Sequence, residues 1–247
     1  DYIDAALIRH VSEIELEFEE RRRRAYYFNY PRKIARLITQ YVFGSDPVRD
    51  HAAPELVEDF SRDGMRANEV MRQFSTLLNV YGSAWLMVEM PAFSGDVGAA
   101  RKHSERLRPY VYTLSPLQVV DWSLGSDGRL AWVLIEETGF DNTDPFRNPV
   151  TTRRRRLWTR TEWQLFEQDA ATGRTVPVDG GRHELGCVPA LHAAEADGYG
   201  LAANHWFEDA VRISDAILNN ESEAQMNVVK QLFGLLVIAE NFARQGR

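Results

Sequence analysis

Few side chains in this sequence are placed to do chemistry. His183 and Cys187 stand four residues apart, a spacing that puts two metal ligands on one helical face, but Gly186 and Pro189 oppose a helix there. A Cys187 thiol with His192 or His205 as its base would be an activated nucleophile. The plainer expectation is a buried thiol beside ordinary histidines. His10, His51 and His103 have no His or Cys partner at a zinc-ligand spacing within one element. The pairs Asp59/Asp63 and Glu221/Glu223 have the chemistry of acid–base carboxylates, and solvated surface is the expectation for both. There is no Gly-rich phosphate loop, GxSxG elbow or HExxH motif. The reading assigns no catalytic residue, no metal and no cofactor, and expects a protein that is not an enzyme.

Two arginine runs remain. Arg153, Arg154, Arg155 and Arg156 fall in an expected strand, so alternate side chains face opposite sides and at most two reach one surface. A solvated edge strand is one reading, because charge there discourages sheet-to-sheet pairing. Phosphate contact and ion pairs to a neighbouring subunit are the others. Arg21, Arg22, Arg23 and Arg24 lie at the end of an expected helix and carry the same alternatives.

Composition narrows the classes. The 247 residues include 29 Lys+Arg against 36 Asp+Glu, a formal charge of -7, which disfavours a globally basic nucleic-acid binder. The 44% hydrophobic and 26% charged content is that of a globular chain. One cysteine excludes an internal disulfide framework and an all-cysteine zinc site. No apolar run approaches the roughly 20 residues of a membrane span, and no membrane partner is expected. The opening Asp1-Tyr2-Ile3-Asp4 is no signal peptide and lacks a starting Met. A trimmed chain in reducing cytoplasm, or in a particle assembled there, is the expectation.

The elements that must position these residues follow from periodicity. Ala5 to Phe18 carries helical spacing with acids between, followed by Arg21–Arg24 and an aromatic cluster, Tyr26, Tyr27, Phe28 and Tyr30. Pro31 opens a helix whose Ile34, Leu37, Ile38, Tyr41 and Val42 form one apolar stripe ended at Gly44. Pro54 starts a short helix. Ala67 to Tyr81 is a stronger one, stopped by Gly82. Short strands follow at 84–88, 110–114, 118–122, 130–136, 153–160 and 161–167, with a hairpin at Gly125-Ser126-Asp127-Gly128. His183 to His192 is an edge strand or extended linker. Helix returns from Trp206 towards Gln231, Gly234 interrupts it, and Leu235–Ile238 begins a strand. The six tryptophans read first as core and second as subunit interface. The fold class is α+β: N-terminal helices, a meander of short antiparallel strands, then a long helix.

Four stretches, in order, resemble the portal protein of tailed bacteriophages. Arg24-Ala25-Tyr26-Tyr27-Phe28-Asn29-Tyr30-Pro31-Arg32-Lys33-Ile34, running on to Tyr41-Val42-Phe43-Gly44, is similar to the portal N-terminal region. Leu114-Ser115-Pro116-Leu117-Gln118-Val119-Val120-Asp121-Trp122 resembles a family strand-turn-strand. His183-Glu184-Leu185-Gly186-Cys187-Val188-Pro189 resembles the LG-x-(I/V)-P step out of the sheet. Ile213 to Glu223, followed by Phe233-Gly234-Leu235-Leu236-Val237-Ile238, resembles the family's long helix and the strand after it.

The resemblance implies a wing-like α+β domain over 1–200, a stem-like helix over 201–232 and the start of a clip-like region over 233–247. It implies a structural subunit of a ring, usually a dodecamer, at a capsid vertex of the virion, assembled in the host cytoplasm. Double-stranded DNA would pass through its channel without sequence specificity during packaging and ejection. Partners would be further copies of the chain, the terminase, the major capsid and scaffold proteins, and head-completion proteins. Asn219, Asn220, Glu221 and Glu223 become the channel-facing candidates, an exposed helix end being their other reading. Both arginine runs become subunit-interface or phosphate candidates. The alternatives are a nucleic-acid-binding module using the arginine runs, and a small soluble enzyme with a His/Cys site.

Overall fold

The structure, a computed structural model, describes residues 2–49, 54–91, 98, 107–141, 150–168, 173–194 and 207–245. Contacts divide the chain into two compact units, residues 1–38 with 206–247, and residues 39–205.

In the first unit, α1 spans Tyr2–Ala6, α2 Glu15–Arg24, α3 Tyr30–Val42 (its last turn belonging to the second unit), and the long α6 Glu208–Gln245. The apolar run from Ala5 to Phe18 is not one helix. The backbone turns at His10–Glu13, where Glu13 N–H reaches His10 O at 3.0 Å. The Glu13 carboxylate accepts the His10 N–H at 3.3 Å. Asn29 caps α3, its Oδ1 accepting the Arg32 N–H at 2.9 Å. Acidic Glu208 and Asp209 sit in the first turn of α6, where the helix dipole favours them. α6 runs straight through Gly234 and Leu235–Ile238, so the strand expected there is helix instead. A glycine inside a helix costs only about 1 kcal/mol, and a short apolar run reads equally as strand or helix.

The second unit carries α4, Pro54–Glu58, α5, Ala67–Tyr81, and eight strands. They are β1 Ser83–Glu89, β2 Tyr110–Leu114, β3 Val119–Leu124, β4 Leu130–Asp141, β5 Val150–Thr159, β6 Glu162–Gln168, β7 Thr175–Arg182 and β8 Ala190–Ala194. A single 3-10 turn, Pro116–Gln118, joins β2 to β3. One sheet has the order β2-β1-β8; the other is a five-stranded meander, β3-β4-β5-β6-β7, and every pairing is antiparallel. The α+β class holds.

β1 is buried on both faces, which its period-two pattern explains. Ala84 and Leu86 pack on Val70 and Phe74 of α5. Trp85 and Met87 pack on Val133, Ile135 and Trp158 of the meander. The layers are therefore helix, small sheet, large sheet. α5 stops at Gly82, which adopts φ 70° and donates its N–H to Leu78 O at 2.8 Å. An alanine there would hold a side chain in the left-handed region. Gly82→Ala is expected to lower the stability of this unit by about 1 kcal/mol, read from its urea midpoint.

Two features depart from the sequence reading, a strand it did not expect and the place of β5. β7 carries Pro177, Asp179, Gly180 and Gly181, residues that disguise a strand. It is the meander's edge, and a Cβ on Gly181 would come within 2.9 Å of Trp163 Nε1, so close packing under Trp163 explains that glycine. Second, β5 is the middle strand of the meander and not a solvated edge. The contacts join residues 1–38 to the long helix.

Candidate functional site

The arginine run of β5 is laid between acids. Glu136 lies opposite Arg155, and Arg154 lies opposite both Glu137 and Glu167. On the outer face Glu136 sits 3.3 Å from Arg153 Nε and 3.7 Å from Arg155 Nε. On the other face Arg154 reaches Glu167 at 3.7 Å. Arg156, next inward on that face, pairs with Glu89 at the end of β1 and has Nε 2.8 Å from Glu137 Oε1. Its guanidinium also lies 5.3 Å from the centre of the Trp163 ring.

The second run is used inside the first unit. Arg21 is 2% exposed. Its Nε and Nη2 donate to the two Glu13 oxygens at 2.9 and 2.8 Å, a fork-on-fork pair. Nη2 also reaches Ile8 O at 2.7 Å, and Nη1 reaches Ser222 Oγ of α6 at 3.0 Å. That Arg21 bond holds the Glu13 carboxyl below the usual carboxylate range. Arg22 pairs with Glu19 at 2.7 Å and Asp4 at 3.3 Å, and Arg24 with Glu20 at 3.2 Å. Arg23 is exposed and has no ion-pair partner among the described residues. Seven of the eight arginines thus have carboxylates of their own chain within ion-pair distance.

The four residues singled out on α6 separate. Asn219 turns to its own chain: Oδ1 accepts the Ile8 N–H at 2.8 Å, and Nδ2 donates to Ala6 O at 3.1 Å. Asn220, Glu221 and Glu223 are exposed. Ser214, Leu218, Ser222 and Met226, every fourth residue, form the covered face. Tyr2 adds a bond to Asp215 at 2.8 Å, and Lys230 an ion pair to Glu17 at 2.9 Å. Asn219→Ala removes two links to the 6–8 backbone. It is expected to raise hydrogen exchange at Ile8 by about tenfold, the effect of roughly 1.4 kcal/mol.

Among the described residues the His and Cys side chains are not assembled as a metal-ligand set. Cys187 is exposed, which overturns the buried-thiol expectation; Gly186 beside it turns the backbone at φ 67°. His192, on β8, is half-buried with its ring 4.5 Å from that of Trp85, and burial lowers its pKa. His183 sits 3.2 Å from Thr159 O. His205, His51 and His103 lie outside the described residues. Among the described residues no three His, Cys, Asp or Glu side chains are grouped to hold a metal ion. Asp59 pairs with Arg108, and Asp63 accepts the Ser61 hydroxyl. Of the tryptophans, Trp85 and Trp158 are core, and Trp206 lies outside the described residues.

Sequence reading missed a cleft of about 760 Å³ that carries Glu89, Tyr110, Tyr112, Glu137 and Arg156. Tyr110 donates to Glu89 at 2.5 Å; burial, then that bond, pushes its pKa up to about 12. Burial raises Tyr112 further. Burial also raises Glu137, against the attraction of Arg156. Both phenols therefore stay neutral near pH 7, and the one guanidinium is shared by two carboxylates. That arrangement ties β1 to the meander through charge.

No protein-family model matches the sequence, and no curated protein matches it. Among the described residues, no helix is long and apolar enough to cross a membrane.

Proposed function

We propose that this chain is a portal-type subunit, a non-enzymatic ring component through which phage DNA is packaged and ejected. The observation that carries the reading is an order. An aromatic-Asn segment caps α3, a meander follows, the Leu185-Gly186-Cys187-Val188-Pro189 step leaves it, and a 38-residue helix comes after. At 1.5 Å per residue that helix is about 57 Å long, a stem-like length. The charge pattern fits a conduit. Each phosphate neutralised adds salt-dependent grip, and seven of the eight run arginines are already paired with acids of the same chain.

Partners on this reading are further copies, usually twelve to a ring, with the terminase, capsid, scaffold and head-completion proteins. The test is native mass with negative-stain imaging of the full gene product at moderate salt. A ring of about a dozen subunits around a central hole supports the proposal. A monomer or dimer at every concentration overturns it. Tight monomer binding to duplex DNA with a steep salt slope would favour a nucleic-acid module instead.

A further inference from the structure

α3 is inverted relative to its own pattern. Pro31, Ala35 and Thr39 are buried, while Tyr30, Ile34, Leu37 and Tyr41 are exposed, Leu37 at 53%. At 3.6 residues per turn those four side chains fall within about 60° of arc, one stripe of large apolar groups facing outward. Tyr26 and Phe28 extend it, their rings 4.7 Å apart, with Phe28 and Tyr30 stacked at 6.0 Å. A stripe of this kind ordinarily marks a binding face.

α6 carries a second stripe. Ile213, Ile217, Ala224 and Val228 are exposed, and they too fall within about 60°. The N-terminal segment occupies the neighbouring face at Ser214, Leu218, Ser222 and Met226 and leaves this one bare.

The two stripes have opposite surroundings. α3 contains Arg32, Lys33 and Arg36 and no acid. α6 over 208–223 contains Glu208, Asp209, Asp215, Glu221 and Glu223 against Arg212 alone. Stripe against its own kind would set like charges together; α3 against α6 sets Lys33, which borders the first stripe, beside Asp209 and Glu221, which border the second.

We propose that α3 of one copy docks on the Ile213–Ile217–Val228 stripe of α6 in the next copy. The contact joins two different surfaces, so each copy keeps one free donor face and one free acceptor face until the assembly closes, as a ring requires. This deepens the ring reading and rests on it. An anionic lipid surface would also suit the basic aromatic face of α3, but it leaves the acidic α6 stripe without a partner.

The test uses the full gene product in a Cys187→Ser background. Chains carrying Leu37→Cys are mixed with chains carrying Ile217→Cys and oxidised. The expected result is a mixed disulfide dimer that neither chain forms alone. Like-with-like cross-links, or none while the native mass stays that of a ring, overturn the docking and leave the ring reading standing. A single-chain mass at every concentration overturns both. As a second measurement, Leu37→Glu is expected to raise the concentration for half-assembly at least tenfold with an unchanged circular dichroism spectrum, since Leu37 is exposed. Unchanged assembly overturns the docking. So does flotation of the parent chain, but not of Leu37→Glu, with vesicles containing phosphatidylserine.

Discussion

Arg21→Met is expected to destabilise the first unit by about 3 kcal/mol at pH 7, as breaking a buried ion pair from one side does. The guanidinium is 2% exposed and the Glu13 side chain 10%. Methionine keeps much of the volume but leaves the Glu13 carboxylate without its guanidinium and the Ile8 carbonyl without its donor, while the Ser222 hydroxyl keeps its bond to Asn219 O. Hydrogen exchange reads the loss locally. Amides of α2 and of α6 around Ser222 should exchange about 100-fold faster, while amides of β1 in the other unit stay unchanged. Glu13→Gln added to Arg21→Met should recover most of the loss, because it removes the stranded charge.

The pH dependence of that pair has a definite sign. Arg21 lowers the folded pKa of Glu13 below its ordinary 4.5. The stability this adds is present in full above about pH 4.5 and disappears as pH falls through the lower folded value. In Arg21→Met burial, which raises the carboxyl, is opposed only by the His10 N–H bond and the Arg9 charge. The difference between the parent and the variant is therefore largest at neutral pH and shrinks below pH 4.5. An equal difference at pH 7 and pH 3.5 would show that Arg21 acts by packing and not by charge.

Arg156→Met is expected to cost the second unit about 3 kcal/mol at pH 8, measured by urea unfolding with tryptophan fluorescence. Arg156 stands between Glu89 and Glu137 and over Trp163. Without it two carboxylates face each other beside a phenol that cannot ionise near neutral pH. Burial already raises Glu137 above its ordinary value while Arg156 holds it down. Removing the guanidinium raises it further. The folded variant then binds a proton the unfolded chain releases, so its stability falls as pH rises past the ordinary value. The loss should be smaller at pH 5 than at pH 8, and Glu89→Gln in the Arg156→Met background should lessen it at pH 8.

Much of this fold was legible because its signals are local. Gly82 ends α5 where a left-handed residue was required. Gly125-Ser126-Asp127-Gly128 turns β3 into β4, with Gly128 at φ 71° and Arg160 Nη2 on the Asp127 carboxylate at 2.7 Å. Ala84–Val88 is a strand because an apolar run that short suits a covered one. What was illegible depends on distant partners. Periodicity gives α3 an apolar stripe but not which side meets the chain. The structure buries Ala35 and leaves Leu37 out, since the side facing the chain accepts small residues. β7 hides behind Pro177 and two glycines, and only the indole of Trp163 shows why they are there. Arg153–Arg156 read as an exposed edge because nothing local announces that β6 and β4 flank them with Glu167, Glu136 and Glu137. Asn219 seemed fit for a channel wall, and its two bonds to residues 6–8 run to the far end of the sequence.

That last reach has a consequence during synthesis. Arg21 and Ser222 are 201 positions apart, and Asn219 and Ala6 are 213 apart. A ribosome adding about 5–20 residues per second takes roughly 10–40 s to span such a gap. For that interval α2 has left the tunnel with Arg21 and Glu13 in water and no α6 to close over them. The meander, whose neighbours follow one another along the chain, can be complete before Ser222 is made. The first unit thus begins earliest and finishes last, and a nascent chain stalled anywhere between the two units carries its amino-terminal helices unclosed.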